Sequence, residues 1–192
     1  MPTNLTAAAR AGWKDGLNAT LGRLRAAIGD EMTIIGDGAD NELPGRNGYM
    51  IQSWLRGGDV KAAVAELQQG PDGMLGEINC AECHHPADTS LAIAVFLLGV
   101  KERQYFGNND WSRCTEAYAL RLMPELRYPL GAPVADASMN GSTFTRRFGS
   151  GTHVQVDAKT KDYCVRWSNN STTGNACGND GRVAAVAATY KK

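Results

Sequence analysis

The amino-acid sequence predicts an α/β protein in which helices and strands alternate up to Pro124 and a small antiparallel β unit follows. Apolar residues recur at helical spacing near the amino terminus, and short runs rich in β-branched residues separate the later helical segments. After Pro124 the pattern changes to alternation of apolar and polar residues around glycine-containing turns. Alternating helices and strands are typical of parallel strands joined by helical crossovers.

The first predicted helix covers residues 5–28, in which apolar residues fall on one face. We expect this amphipathic helix to pack on a sheet. Gly29-Asp30 ends it, and Met32–Gly36 follows as a strand of the kind that is buried on both faces. The polar stretch Asp37–Asn47 is then predicted to be a loop.

The next segment is predicted to contain two strands separated by a helix. The apolar run Tyr49–Ile51 forms the first strand, and Leu75–Cys80 forms the second. Asp59 is placed to cap a helix over residues 60–69, because its carboxylate can accept a hydrogen bond from the first helical turn.

The alternation continues with a strongly apolar helix that runs through Leu98 and is capped by Asp88 and Thr89. Gln104–Phe106 is predicted to be a short strand, and Ser112–Leu122 another helix. The order of helices and strands therefore remains that of a parallel sheet.

The tail is predicted to be antiparallel. Gly149-Ser150-Gly151 is interpreted as a hairpin turn between two alternating segments, and residues 168–181 as one polar surface loop. The predicted strands of the tail are Thr143–Phe148, Thr152–Val156, Tyr163–Trp167 and Val183–Ala188.

Charge and hydropathy exclude two classes of partner. Twenty basic residues balance twenty acidic ones, so no net field attracts a nucleic acid or an anionic membrane. The longest apolar stretch, Leu91–Val100, is about half of the roughly 20 residues that a membrane-spanning helix requires. No secretory signal is readable at the start of the chain, so the compartment stays open, with secretion expected if the amino terminus is truncated.

Five cysteines are present, so at least one cannot pair within the chain. Cys164 and Cys177 flank the polar segment of the tail, and they are candidates for a disulfide in an oxidising compartment.

Several segments occur in an order that resembles the end of glycoside-hydrolase-like β/α barrel proteins. They are Ile34-Ile-Gly-Asp-Gly, Gly48-Tyr-Met-Ile-Gln-Ser-Trp, Gln104-Tyr-Phe-Gly, Trp111, Tyr128-Pro-Leu-Gly-Ala-Pro and Thr143-Phe-Thr-Arg-Arg-Phe-Gly-Ser-Gly-Thr-His-Val-Gln-Val. The resemblance covers roughly residues 10–167, which correspond to the second half of a barrel of about 250 residues.

The resemblance implies a partial β/α (TIM-like) barrel, the carboxyl-terminal half, at residues 1–127 and a small β-rich domain with a cysteine-flanked loop at 128–192. A half barrel has unpaired sheet edges, so we expect self-association or pairing with a missing barrel half. The implied function is that of a carbohydrate-active protein, a fragment or degenerate form that acts on or binds a glycan.

Glycoside hydrolysis usually needs two carboxylates that face the scissile bond, and in a barrel these follow the strands. Asp37 and Asp40 follow the first strand, and Glu77 and Glu82 lie within or after the strand at 75–80. These four residues are the candidate catalytic acids. The alternative is that they are solvated turn formers in polar loops.

Gln52 stands where the similar barrels tend to have an acidic residue, and an amide can neither ionise nor supply a proton. This substitution favours a degenerate site that binds without turnover. Trp54, Tyr105 and Trp111 are candidate sugar contacts because aromatic faces offer large flat apolar areas, with core packing as the alternative.

Cys80-Ala-Glu-Cys83-His84 matches the C-x-x-C-H pattern by which two thiols attach haem c and a histidine ligates its iron. The same residues could ligate zinc. Three hypotheses therefore stay open: a carbohydrate-active protein without a cofactor, a non-catalytic structural or interaction module, and a haem- or metal-binding protein built on Cys80, Cys83 and His84.

Overall fold

The computed structural model describes residues 6–37, 46–52, 54–80, 86–107, 128–168 and 173–178. It confirms the predicted α/β class: a four-stranded parallel sheet and a separate five-stranded antiparallel sheet lie in one chain. None of the described helices is long and apolar enough to cross a membrane.

The first part of the chain alternates helices and strands as predicted. Its described elements are α1 (Ala7–Ile28), β1 (Ile35–Asp37), β2 (Gly48–Ile51), a 3₁₀ turn (Arg56–Gly58), α2 (Val60–Gln69), β3 (Leu75–Asn79), α3 (Pro86–Gly99) and β4 (Gln104–Gly107). The strands are parallel and lie in the order β1-β2-β3-β4, so each strand pairs with the next one along the chain. The helix predicted at 112–122 lies outside the described residues.

The ends of two helices follow the predicted capping rules. Asp59 accepts a hydrogen bond from the Ala62 amide at 3.0 Å and starts α2. Gly29, with φ of 72°, ends α1 in a conformation that other residues adopt at a cost. Helix α3 begins at Pro86, earlier than the predicted caps Asp88 and Thr89, because proline is favoured at the first helical position.

Helix α1 does not pack as predicted. None of its residues is buried, and both Trp13 and Leu24 are exposed, so the expectation that it packs on a sheet is not met. The sequence places apolar residues on one face of α1, but only tertiary contacts decide whether such a face is covered.

Helix α3 lies between the two sheets and is buried along nearly all of its described length. On one side the Phe96 ring contacts Trp54 and Phe106, with ring centroids 6.3 and 5.5 Å away. On the other side Arg146 of the antiparallel sheet donates to the carbonyl oxygens of Leu97 and Val100. A helix that is apolar all round is expected in such a central position.

The parallel sheet turns one face towards α2 and α3. Tyr49 of β2 and Gln104 of β4 lie on that face, on either side of Gly76 in β3. The Gln104 side-chain amide donates to Tyr49 Oη at 2.5 Å and to the Leu67 carbonyl of α2 at 2.8 Å. A Cβ atom on Gly76 would lie 2.7 Å from the Tyr49 ring. Glycine is therefore required there by close packing. Burial raises the pKa of Tyr49, partly offset by Gln104 and Lys101.

The antiparallel sheet contains five strands in sequential order, and its apolar side chains alternate with polar ones. Its inner face contributes Val154, Val156 and Val165 to the core. Gly151, with φ of 91°, completes the predicted hairpin turn and donates to the Phe148 carbonyl at 2.9 Å. The strands are β5 (Ser138–Asn140), β6 (Thr143–Arg147), β7 (His153–Asp157), β8 (Tyr163–Ser168) and β9 (Thr173–Gly178).

The polar segment predicted as a surface loop at 168–181 instead contains strand β9. Residues 173–178 pair with β8, and Cys164 lies directly opposite Cys177 and is bonded to it. Pairing with a neighbouring strand overrides the weak strand propensity of an Asn/Ser/Thr/Gly-rich segment. The strand predicted at 183–188 lies outside the described residues.

Candidate functional site

A row of four residues crosses the parallel sheet, from the end of β1 through the middle of β3 to the second residue of β4. The strand register pairs Asp37 with Met50, Met50 with Glu77, and Glu77 with Tyr105. Because side chains alternate along a strand, this row belongs to the face opposite the one that holds Tyr49 and Gln104. The row is therefore on the face turned away from α2 and α3.

Glu77 is the best-defined acid of this row. Its side chain is half-buried, and Asn79 Nδ2 donates to its Oε1 at 3.4 Å. The two side chains lie two residues apart on β3 and so share a face. The amide of Asn79 orients one carboxylate oxygen while the carboxylate stays accessible.

Asn79 was not among the predicted site residues. It is 1% exposed, and its Oδ1 makes no hydrogen bond in the part of the chain that the structure describes. A Cβ atom on Gly107 would lie 3.0 Å from that oxygen, so glycine leaves room beside it. A buried, unsatisfied amide oxygen is costly and is found mostly where function requires it. The signal in the sequence was a polar residue at the end of a buried strand.

Asp37 lies at the end of β1, and the structure describes its backbone but not its side chain. Adjacent strands are about 4.8 Å apart, so the Cα atoms of Asp37 and Glu77, two strands apart, are separated by about 10 Å. Paired carboxyl groups of inverting glycosidases lie about 6.5–9.5 Å apart, and those of retaining enzymes about 5–5.5 Å. Register and strand spacing therefore place Asp37 and Glu77 in one row, two strands apart.

Gln52 follows β2 directly and has an exposed side chain. Its Nε2 lies 3.5 Å from the Met50 sulfur, so the amide is on the same side of the sheet as the row. The neutral amide of Gln52 therefore lies next to a row that begins with Asp37 and contains Glu77.

Two of the aromatic residues predicted to contact a sugar differ in their exposure to solvent. Trp54 is 2% exposed, donates from Nε1 to the Ala63 carbonyl at 3.1 Å and packs edge-on against Phe106. Its ring faces are not available to a sugar, so the expectation of substrate binding by Trp54 is corrected to core packing. Tyr105, by contrast, is 58% exposed at the end of the row, where it can serve as a platform.

The cysteine motif is described only at Cys80, which is buried and disulfide-bonded. A sulfur in a disulfide is neither a thiolate ligand nor a haem thioether, so metal or haem binding through Cys80 would first require its reduction. No cluster of three metal-ligating side chains is found among the residues that the structure describes. Five predicted residues lie outside them: Asp40, Glu82, Cys83, His84 and Trp111.

Comparison with known proteins gave no match, either to a protein-family model or to a curated protein sequence.

Proposed function

We propose that this chain is a carbohydrate-active protein related to the glycoside-hydrolase-like β/α barrels and that it binds a glycan along the row containing Asp37, Glu77 and Tyr105. The observation that carries the proposal is the accessible row itself, with a carboxylate and an exposed aromatic ring on neighbouring strands. Carboxylate and amide groups bind sugar hydroxyls, and aromatic rings stack on the apolar faces of sugars.

Two features of the topology support a barrel-like arrangement. In a β/α barrel each strand pairs with the next along the chain and the helices lie on one face, whereas doubly wound sheets reverse their strand order and carry helices on both faces. Here the order is sequential, and side chains from one face of the sheet contact both α2 and α3. The row would then belong to the inner face of the barrel.

Binding without turnover is the expected form of this activity. The mechanism of glycoside hydrolysis requires one carboxyl group to donate a proton and a second to act as base or nucleophile. Gln52 supplies an amide at one of the strand ends where a carboxyl group would be expected, and an amide performs neither step. Glu77 and Asp37 would then hold and orient the sugar.

The proposal is tested by titrating the protein with a panel of neutral oligosaccharides and measuring the heat of binding. Tyr105→Ala should weaken binding about tenfold by removing the stacking platform, and Glu77→Gln should weaken it by removing a charged acceptor. The matched controls are Trp13→Ala, which removes another exposed aromatic ring, and Glu102→Gln, which removes an exposed carboxylate at the opposite end of the sheet. Both controls should bind as the wild type does.

Turnover is measured in the same samples as the release of reducing ends. We expect none from the wild type, and Gln52→Glu is the variant designed to introduce it. If no oligosaccharide binds, or if Tyr105→Ala and Glu77→Gln bind as tightly as the controls, the proposed function is wrong. Hydrolysis by the wild type that Glu77→Gln abolishes would instead identify Glu77 as a catalytic acid or base.

A further inference from the structure

The antiparallel sheet carries a row of cationic side chains on its outer face. The register pairs Arg147 of β6 with His153 of β7, and His153 with Arg166 of β8. The two arginines are exposed and the histidine is half-buried. Directly opposed residues of antiparallel strands lie about 4.5–5.5 Å apart, so the Cα atoms of the two arginines are separated by about 10 Å.

An open cleft of about 550 Å³ lies over this row. Its walls include Arg147, His153 and Arg166, together with Ser168 and Trp167 from the end of β8. The Ser168 hydroxyl can donate a hydrogen bond.

The two arginines have no hydrogen-bond or ion-pair partner among the residues that the structure describes. Within the described ranges, neither guanidinium lies within ion-pair or hydrogen-bond distance of another side chain or a carbonyl. Arg146, the next residue to Arg147, shows the contrast: it is buried on the inner face and donates to three carbonyl oxygens. The guanidinium of Arg146 therefore has carbonyl acceptors in the core, whereas that of Arg147 lines the cleft.

Like charges placed side by side on neighbouring strands destabilise a sheet. The histidine between the arginines reflects this: burial lowers the pKa of His153, and Arg147 and Arg166 lower it further. Such a row, with no anionic partner among the described residues, favours a site at which a ligand supplies the missing charge.

We propose that this cleft is an oxyanion-binding site that receives the carboxylate or sulfate substituent of an acidic glycan. Two guanidinium groups can hold such a group by paired, charge-assisted hydrogen bonds, with Ser168 as an additional donor. The cleft holds two guanidinium groups in a chain with no net charge, which favours a single anionic substituent over a polyphosphate backbone. That the carrier is a glycan rests on the proposed function, whereas the oxyanion site rests on the cleft alone.

The first arm of the test measures inorganic sulfate binding to the full chain by calorimetry. Arg147→Gln and Arg166→Gln should each weaken binding about tenfold or more, because each removes charge-assisted hydrogen bonds. Arg166→Lys should restore part of the affinity, since it keeps the charge and loses the planar fork. Lys159→Gln removes one exposed charge from the turn between β7 and β8, outside the cleft, and should leave binding unchanged.

The second arm replaces sulfate with a heparin-derived hexasaccharide, a galacturonate hexasaccharide and, as the uncharged control, a neutral maltohexaose. We expect the arginine substitutions to weaken binding of at least one acidic hexasaccharide and to leave the neutral one unaffected. Sulfate affinity that is the same in both arginine variants, or that falls equally in Lys159→Gln, would overturn the oxyanion site. Sulfate binding without either acidic hexasaccharide would overturn the glycan assignment.

The two proposals fail in different measurements. The row on the parallel sheet is tested with neutral oligosaccharides and with substitutions of Tyr105 and Glu77, and the cleft is tested with inorganic sulfate and substitutions of Arg147 and Arg166. Circular dichroism of each variant shows that it is folded. Both arginines are exposed, so their substitution should not disturb the fold.

Discussion

Both sheets pack one face against α3, but the faces that they turn away from this helix differ in composition. Both pack an apolar face towards α3. The antiparallel sheet has a polar outer face, as its alternation of apolar and polar residues predicts. The parallel sheet instead turns outward a mixed face on which Ile35 and Tyr105 are exposed and Glu77 is half-buried.

This difference bears on function because parallel sheets are normally covered on both faces, whereas antiparallel sheets often have one solvated face. The accessible face of the parallel sheet therefore favours further cover, by a sugar, by another part of a barrel or by a second copy of the chain. The outer face of the antiparallel sheet needs no such cover, and its unusual feature is the pair Arg147 and Arg166, whose guanidinium groups have no anionic partner in the described ranges.

The largest expected effect tests the apolar face of the parallel sheet. Trp54→Ala should lower the free energy of unfolding by about 3–5 kcal/mol, because it leaves a cavity beside Phe96 and Phe106 and removes the hydrogen bond from Nε1 to the Ala63 carbonyl. Trp13→Ala is the matched control, and its exposed ring should contribute within about 0.5 kcal/mol. Urea unfolding measures both. Equal effects would show that Trp54 is not a core residue and would reopen its assignment as a sugar contact.

A smaller effect tests the contact between α3 and the antiparallel sheet. Arg146→Ala should destabilise the protein by about 3 kcal/mol, because the last carbonyl groups of α3 lose their charged donor and stay buried. Burial lowers the pKa of Arg146, while the carboxylate of Asp136 raises it. Arg147→Ala changes the neighbouring residue of the same type and should cost at most about 0.5 kcal/mol. If the two variants unfold at the same urea concentration, Arg146 does not join the two units.

The smallest effect tests the outer face of the antiparallel sheet. The charged groups that lower the pKa of His153 are Arg147 on β6 and Arg166 on β8, so Arg166→Gln should raise this pKa towards 6.5. Sulfate in the cleft should raise it as well, because an anion favours the imidazolium. The ring resonances of His153, assigned with His153→Gln, report the titration by NMR. A pKa that sulfate leaves unchanged would place the anion away from His153.

The lowered pKa of His153 also makes the free energy of unfolding depend on pH. A folded-state pKa below the ordinary value means that the unfolded chain binds the proton more tightly. The contribution of His153 to stability is therefore fully present above pH 6.5 and is lost as the pH falls from there through the lowered folded-state pKa. Sulfate should reduce this loss, and Arg166→Gln should reduce it too.

Local patterns predicted most of the described elements. Asp59 starts α2 and Gly29 ends α1 as expected, because a cap depends on a few adjacent residues. The hairpin around Gly151 was also predicted, since a turn in that conformation requires glycine. Strand β1 begins later than predicted, at Ile35, because the start of a short strand depends on its neighbour β2.

Features that depend on distant contacts were predicted less well. Both Trp54 and Tyr105 were predicted to contact a sugar. Trp54 is buried against α3 and Tyr105 is exposed, because different elements surround the two side chains. Strand β9 was missed because its Asn/Ser/Thr/Gly-rich sequence has weak strand propensity, although the Cys164–Cys177 disulfide that joins it to β8 was predicted as a candidate. Asn79 was overlooked because nothing in the sequence reveals that its amide oxygen is buried without a partner.

The sequence by itself determined the α/β class, the change from parallel to antiparallel architecture and the candidate acid Glu77 within a strand, because these depend on local periodicity and short-range chemistry. Only the tertiary structure decided which side chains share a face: Glu77 with Asn79 and Tyr105, and Arg147 with His153 and Arg166. Strand register makes these choices, since a slip of one residue moves every side chain to the opposite face of its sheet.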